Sequence, residues 1–267
     1  ELRVIVASAT LDALSIKDFF EESSLVGEPD FQERATVLQL KGRSFPVHTA
    51  YLTQPCNDYL EETVETIWKI HLAEPQGDIL AFLTGREEVE TALQLLSDRQ
   101  SSLAPSAARM HLVPLFSGLS SSEQAAVFLP SPSVGMRKVV VATNIAEASI
   151  TLDGIVYVVD CGYVKLRTAD VDTGLESLCV VPISRASATQ RAGRAGRTRA
   201  GKCFRLYTEP YFTQQMAAST PPELCRVALE GVVLMLKSLG VDNLVKFAWV
   251  APAPPPQALA RALQRLV

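Results

Sequence analysis

Asp78-Ile79-Leu80-Ala81-Phe82-Leu83-Thr84-Gly85 is an apolar run short enough for a strand that closes on a hydroxyl and a glycine. Arg86 to Leu96 follows at once, with Val89, Leu93 and Leu96 at helical spacing. A buried strand feeding a helix is the repeating unit of a parallel sheet covered on both faces. Further strand candidates are Val4 to Ala7, His111 to Val113, Lys138 to Ala142, Ile155 to Val159 and Lys202 to Leu206. Ser121 to Phe128 reads as a helix behind a run of N-cap residues, with Glu123 in its first turn. The fold class is therefore α/β.

Two regions interrupt the alternation. Val164 to Thr168 and Leu175 to Val181 flank the turn formers Asp172-Thr173-Gly174, which predicts an antiparallel hairpin projecting from the sheet. Beyond Met216, Ala217 to Pro222 has linker composition, and a helix is predicted from about Glu223 to Ser238. Pro252 to Pro256 reads as a loop and Gln257 to Val267 as a last helix.

At 267 residues, 48% hydrophobic and 20% charged, the chain can bury one substantial core beside a smaller appendage. No stretch reaches the roughly 18 apolar residues of a membrane span, and Glu1-Leu2-Arg3-Val4-Ile5 lacks a signal-peptide layout, so a nuclear or cytosolic address is expected and no membrane partner. Cys56, Cys161, Cys179, Cys203 and Cys225 are odd in number without a C-x-x-C pair, which predicts buried small hydrophobes rather than disulfides or zinc ligands. His48, His71 and His111 are scattered, and the side chains imply no metal site. A formal charge of -4 excludes a broad basic face, so nucleic-acid contacts must be local.

The positive charge gathers in one place, at Gln190-Arg191-Ala192-Gly193-Arg194-Ala195-Gly196-Arg197. At about 100° per residue, Gln190, Arg194 and Arg197 fall within roughly 60° of one another, opposite Ala192, Ala195 and Gly196. The bare face predicts close approach to a sheet, which would justify two glycines that otherwise cost about 1 kcal/mol each. Ser184 is the expected N-cap. Two guanidiniums a turn apart match the oxygens of a terminal phosphate, where planar multidentate donors are strongest.

This octet resembles motif VI of the DEAH-box helicases of superfamily two. The resemblance extends over essentially the whole chain and is nearest to spliceosome-associated members, on Gly77 to Gly85 and Ser187-Ala188-Thr189-Gln190. It implies that Gln190, Arg194 and Arg197 face the γ-phosphate of ATP held between two RecA-like domains. Thr143 to Gly154 is similar to motif V, which implies that Thr143 and Asn144 touch the RNA backbone while Ser149, Thr151 and Asp153 face the nucleotide. Ala148 stands where the family usually has Thr. Thr84 and Gly85 resemble motif IV, and Ser117 and Gly118 a neighbouring RNA-backbone loop, although plain turns look alike. Phe128 matches the aromatic that stacks on adenine; read without the family it is equally a core phenylalanine. Ser8-Ala9-Thr10 is similar to motif III, with Ser8 and Thr10 in a coupling role.

The domain arrangement that the resemblance implies is residues 1–30 ending a first RecA-like domain, 31–216 forming the second, and 217–267 starting a winged-helix domain. There is no G-x-x-x-x-G-K-[ST] and no Asp-Glu-Ala-His, so the ligands for Mg2+ and the β-phosphate are expected in a missing N-terminal half, and the 267 residues alone are expected to be inactive. The expected whole is an ATP-dependent 3'-to-5' RNA helicase that unwinds RNA or remodels RNPs, in pre-mRNA splicing, with RNA, the first RecA-like domain, the spliceosome and a G-patch activator as partners. The alternative is a non-catalytic helicase-like module that binds RNA or a partner. A dinucleotide-dependent oxidoreductase is excluded because no G-x-G-x-x-G follows a strand.

Overall fold

The computed structural model describes residues 3–7, 13–22, 35–40, 45–103, 108–133, 135–148, 150–170 and 175–267. These form two compact units, one from Arg43–Leu166 with Cys179–Thr220, the other from Glu1–Gly42, Arg167–Leu178 and Pro221–Val267.

In chain order the strands are β1 (Val47–Leu52), β2 (Asp78–Phe82), β3 (Met110–Leu115), β4 (Arg137–Ala142), β5 (Ile155–Asp160), β6 (Tyr163–Ala169), β7 (Glu176–Pro182) and β8 (Gly201–Thr208), and the first helices are α1 (Ala13–Glu22), α2 (Tyr59–Ala73), α3 (Arg86–Ser101), α4 (Ser121–Ala126), α5 (Ile145–Ala148) and α6 (Arg185–Gly193). Six of them make one sheet in the order β1-β8-β5-β2-β4-β3, every neighbouring pair parallel. The expected hairpin is present as the antiparallel pair β6-β7, with the Asp170 N–H donating to the Leu175 carbonyl at 3.0 Å. Its predicted turn residues Asp172 to Gly174 lie outside the described residues.

Alternation along the strands divides the core. Ile79, Ala81, Val139, Val141 and Val159 pack on one face against Val64, Ile67 and Ile70 of α2 (Tyr59–Ala73) and Val89, Ala92 and Leu96 of α3 (Arg86–Ser101). Leu80, Phe82, Val140, Ala142 and Val158 pack on the other against Ala146, Ala192 and Ala195. Strands buried on both faces read as continuous apolar runs, which is why these were visible in the sequence.

Sequence reading overlooked β1 and α2. The acidic run from Asp58 to Glu65 is the amphipathic start of α2, with Asp58 accepting from the Leu60 and Glu61 N–H groups at 2.8 and 3.1 Å while Val64 and Ile67 are buried. Conversely, Val4 to Ala7 form no strand among the described residues, and Ile5 is 92% exposed. A strand needs a neighbour to take its backbone groups, and no described strand pairs with them.

The expected helix from Glu223 to Ser238 is divided into a 3-10 turn at Glu223–Cys225 and a helix at Glu230–Ser238. The Arg226 carbonyl, which a continuous helix would use internally, accepts from the Ala169 N–H at 2.6 Å, and the Ala228 N–H donates to Glu176 at 3.1 Å. A last helix covers Pro256–Arg265, and Leu229, Val233, Leu236, Leu244 and Ala262 form the local core.

Candidate functional site

Parallel sheets gather ligands at the carboxyl ends of their strands. Three neighbouring strands, β2, β4 and β3, end side by side, laced by Leu83 N–H to the Ala142 carbonyl at 2.8 Å and Thr143 N–H to the Leu115 carbonyl at 3.0 Å. This brings Thr84 and Gly85, Thr143 and Asn144, and Ser117 and Gly118 to one edge of the sheet. Asn144, Ser117 and Gly118 are exposed and Thr143 half-buried. Thr84 is buried at 6%, and its hydroxyl and N–H both donate to Glu88, at 2.8 and 3.0 Å. The other Glu88 oxygen accepts from the Tyr59 hydroxyl at 2.6 Å, and burial with this carboxylate pushes the phenol up to about 12. Thr84 therefore holds the turn, and Gly85, at the head of α3, is its more open neighbour.

The arginine octet begins as predicted, in α6 (Arg185–Gly193), with Ser184 accepting from the Ser187 N–H at 3.2 Å. It does not continue as one helix. Arg194–Gly196 form a 3-10 turn, in which residues three apart eclipse instead of standing roughly 60° apart. Arg194 opens this turn and Arg197 caps it. Gly196 makes the close approach, since a Cβ there would stand 2.6 Å from the Phe45 carbonyl oxygen. Gly193 does not: nothing lies within 4 Å of its Cβ position, so only one of the two glycines is required by packing.

Both arginines meet the segment that follows β4, which passes through the one-turn helix Ile145–Ala148 into a loop. Arg194 donates to the Ile150 carbonyl at 2.7 Å and to the Glu147 carbonyl, and Arg197 donates to the Thr151 hydroxyl at 2.5 Å. Arg194 is 8% exposed, and burial, then the adjacent Arg197 charge, lowers its pKa. Arg197 and Thr151 face solvent, Gln190 is half-buried on α6, and Asp153 is exposed further along the loop. Ser149, Ser8 and Thr10 lie outside the described residues.

Sequence reasoning passed over Arg191. It is fully buried, with Nε 2.9 Å from Glu147, Nη1 2.8 Å from Asp160, and its guanidinium over the Phe82 ring at 4.8 Å. Burial opposes its charge, but Asp160, then Cys161 and Glu147, outweigh it and raise the pKa. Glu147 also accepts from the Ser187 hydroxyl at 2.5 Å, and Asp160 from the Tyr207 hydroxyl at 2.9 Å. One network so fixes the arginine helix, the loop and the end of β5. The signal was present: at about 100° per residue Arg191 lies only about 40° from Ala195, on the side that meets the sheet.

Phe128 follows α4 (Ser121–Ala126), which ends two residues short of the expected helix and starts with a capping box of Ser120 and Glu123. The ring is 55% exposed, so Phe128 is not a core residue. Arginine donors suit a triphosphate, and an exposed aromatic ring suits a flat base. They do not suit Mg2+, which requires oxygen ligands, and no group of three His, Cys, Asp or Glu is gathered among the described residues.

Residues 61–199 match the model of the helicase conserved C-terminal domain. The chain is 50% identical over 268 residues to the probable ATP-dependent RNA helicase DHX35 of Homo sapiens, covering 100% of this chain and 37% of that protein. It is 45% identical over 266 residues to the pre-mRNA-splicing factor ATP-dependent RNA helicase prp22 of Schizosaccharomyces pombe, covering 100% and 22%. The crystal structure of the Escherichia coli DEAH/RHA helicase HrpB superposes with a TM-score of 0.81 at 34% identity, covering 97% of this chain and 30% of that one. The chain thus spans about a third or less of the length of these relatives. With a family match over half its residues and an all-parallel RecA-like sheet carrying the arginine turn, this chain belongs to the DEAH-box helicase family.

Proposed function

We propose that these residues are the second RecA-like domain and the start of the winged-helix domain of an ATP-dependent RNA helicase that moves 3' to 5' and remodels RNA or RNPs in nuclear pre-mRNA splicing. The assignment takes residues 1–30 as the end of the first RecA-like domain, 31–216 as the second and 217–267 as the winged-helix start. One observation carries it: Arg194 opens a 3-10 turn that Arg197 caps, and both reach the segment after β4.

In this reading Gln190, Arg194 and Arg197 neutralise charge developing on the γ-phosphate, a role worth on the order of 10³ to 10⁵ in rate for such arginines. Thr151, Ser149 and Asp153 line the nucleotide, Phe128 stacks on its base, and Ser8 and Thr10 couple the two sites. Gly85, Ser117, Gly118, Thr143 and Asn144, with Thr84 beneath them, hold RNA phosphates without reading sequence. Mg2+ is supplied with ligands by the other RecA-like domain, and the carbonyl bonds of Arg194 keep its guanidinium oriented until that domain closes. Repeated closure and release change the spacing between two sets of phosphate contacts and so advance the strand.

The test is strand displacement by the full-length protein, on duplexes with a 3' or a 5' single-stranded tail and with ATP. ATP-dependent displacement confined to the 3' tail is expected. Tail-independent RNA binding with no displacement would favour the non-catalytic module.

A further inference from the structure

We propose that Lys138 is a positioning residue for the Phe128 ring, setting the affinity of the site for the nucleotide base; this rests on the reading of Phe128 as the base platform. Lys138 lies in β4, is 4% exposed, and is followed along the strand by Val139, Val140 and Val141. Its ammonium donates to the Val127 carbonyl at 3.1 Å and to the Leu129 carbonyl at 3.0 Å, the two carbonyls that flank Phe128. Its own N–H donates to Asp78 at 3.1 Å.

A lysine is strongly hydrated and costly to bury, and an apolar side chain would serve the sheet equally well at this position. What the ammonium bonds is therefore informative. Both carbonyls lie just past the end of α4, whose own last carbonyls accept from the Phe128 and Leu129 N–H groups, and Lys138 supplies a donor on each side of the aromatic. α4 contributes no buried residue of its own, so packing along the helix does not hold its end. Val127, wholly buried, and the Lys138 ammonium fix the backbone there, while the ring between them remains 55% exposed. A platform ordered before the ligand arrives avoids the loss of freedom on binding that a loose aromatic would suffer.

The experiment compares the apparent KM for ATP and for ribose 5'-triphosphate, which lacks a base, in RNA-stimulated hydrolysis by the full-length protein. Phe128→Ala should raise the KM for ATP about tenfold, the scale of one base stacked on an aromatic. Lys138→Met should raise it roughly three- to tenfold, more than it lowers kcat, and leave the KM for ribose triphosphate unmoved. Lys138→Arg should restore most of the loss, and the Phe128→Ala, Lys138→Met pair should be no worse than Phe128→Ala alone. If the methionine variant does not fold, Lys138→Gln, a shorter donor, is read by the same outcomes. Equal effects on both triphosphates, or additive effects in the pair, overturn the role of Lys138. An unchanged ATP KM in Phe128→Ala instead removes the platform reading itself.

Discussion

Arg191 and Asp160 form an ion pair of 2.8 Å in which neither side chain has exposed surface. Removing one partner of a buried pair leaves the other charge unpaired, at a cost of about 3–5 kcal/mol. Arg191→Ala should therefore lower the unfolding free energy of this unit by that much, with a fall in the denaturant midpoint visible by circular dichroism before any assay of activity. Arg191→Lys should fall between, since an ammonium cannot serve Glu147, Asp160 and the Tyr163 carbonyl with one planar group.

The two glycines of the octet should respond with opposite signs. At Gly196 a new Cβ meets the Phe45 carbonyl, which is backbone, so Gly196→Ala should destabilise by about 1–3 kcal/mol. Gly193 has φ -60° and open space, so Gly193→Ala should stabilise by about 0.5–1 kcal/mol. Thermal melts of the two variants decide the matter.

His71 gives the unit an acid sensitivity. Burial lowers its pKa below the ordinary value, more than its bond to the Ala108 carbonyl at 3.1 Å raises it. The unfolded chain therefore takes up a proton first as pH falls through about 6.5, and stability present above that pH is lost below it. Denaturant titrations at pH 7.5 and 5.5 should show this loss, and His71→Gln should make it smaller.

The cysteines should divide by exposure. Burial pushes the thiols of Cys161 and Cys203 up to about 12, whereas Cys179 lies exposed on β7. Native-state titration with a thiol reagent should label Cys179 quickly and leave Cys161 and Cys203 unreacted until the protein unfolds. Prompt reaction of Cys161 would contradict the burial of the network around Arg191.

What was legible in the sequence follows from where the energy lies. β2, β4 and β5 are buried on both faces and read as largely apolar runs, and the cap Ser184 is legible by type and position. β1 was not legible, because Val47–Leu52 is a half-buried edge strand with a histidine and a threonine in it. α2 was hidden by its acidic exposed face, and the break after Cys225 by backbone bonds to residues almost sixty positions away. Cys179 contradicts the expectation of uniformly buried cysteines, since β7 is one strand of a two-stranded pair. At the site, the spacing of Arg194 and Arg197 was readable and the change to a 3-10 turn was not. Lys138 reads in the sequence only as the start of a strand, because its partners are carbonyls, which a sequence does not mark.

In the proposed function Arg194 and Arg197 act on a triphosphate, while a separate sheet edge holds RNA. RNA-stimulated ATP hydrolysis by the full-length protein carrying Arg194→Ala or Arg197→Ala, with RNA affinity measured on the same preparations, tests it most directly. Turnover is predicted to fall on the order of 10³-fold, with RNA affinity nearly unchanged. Normal turnover in either variant would contradict the account.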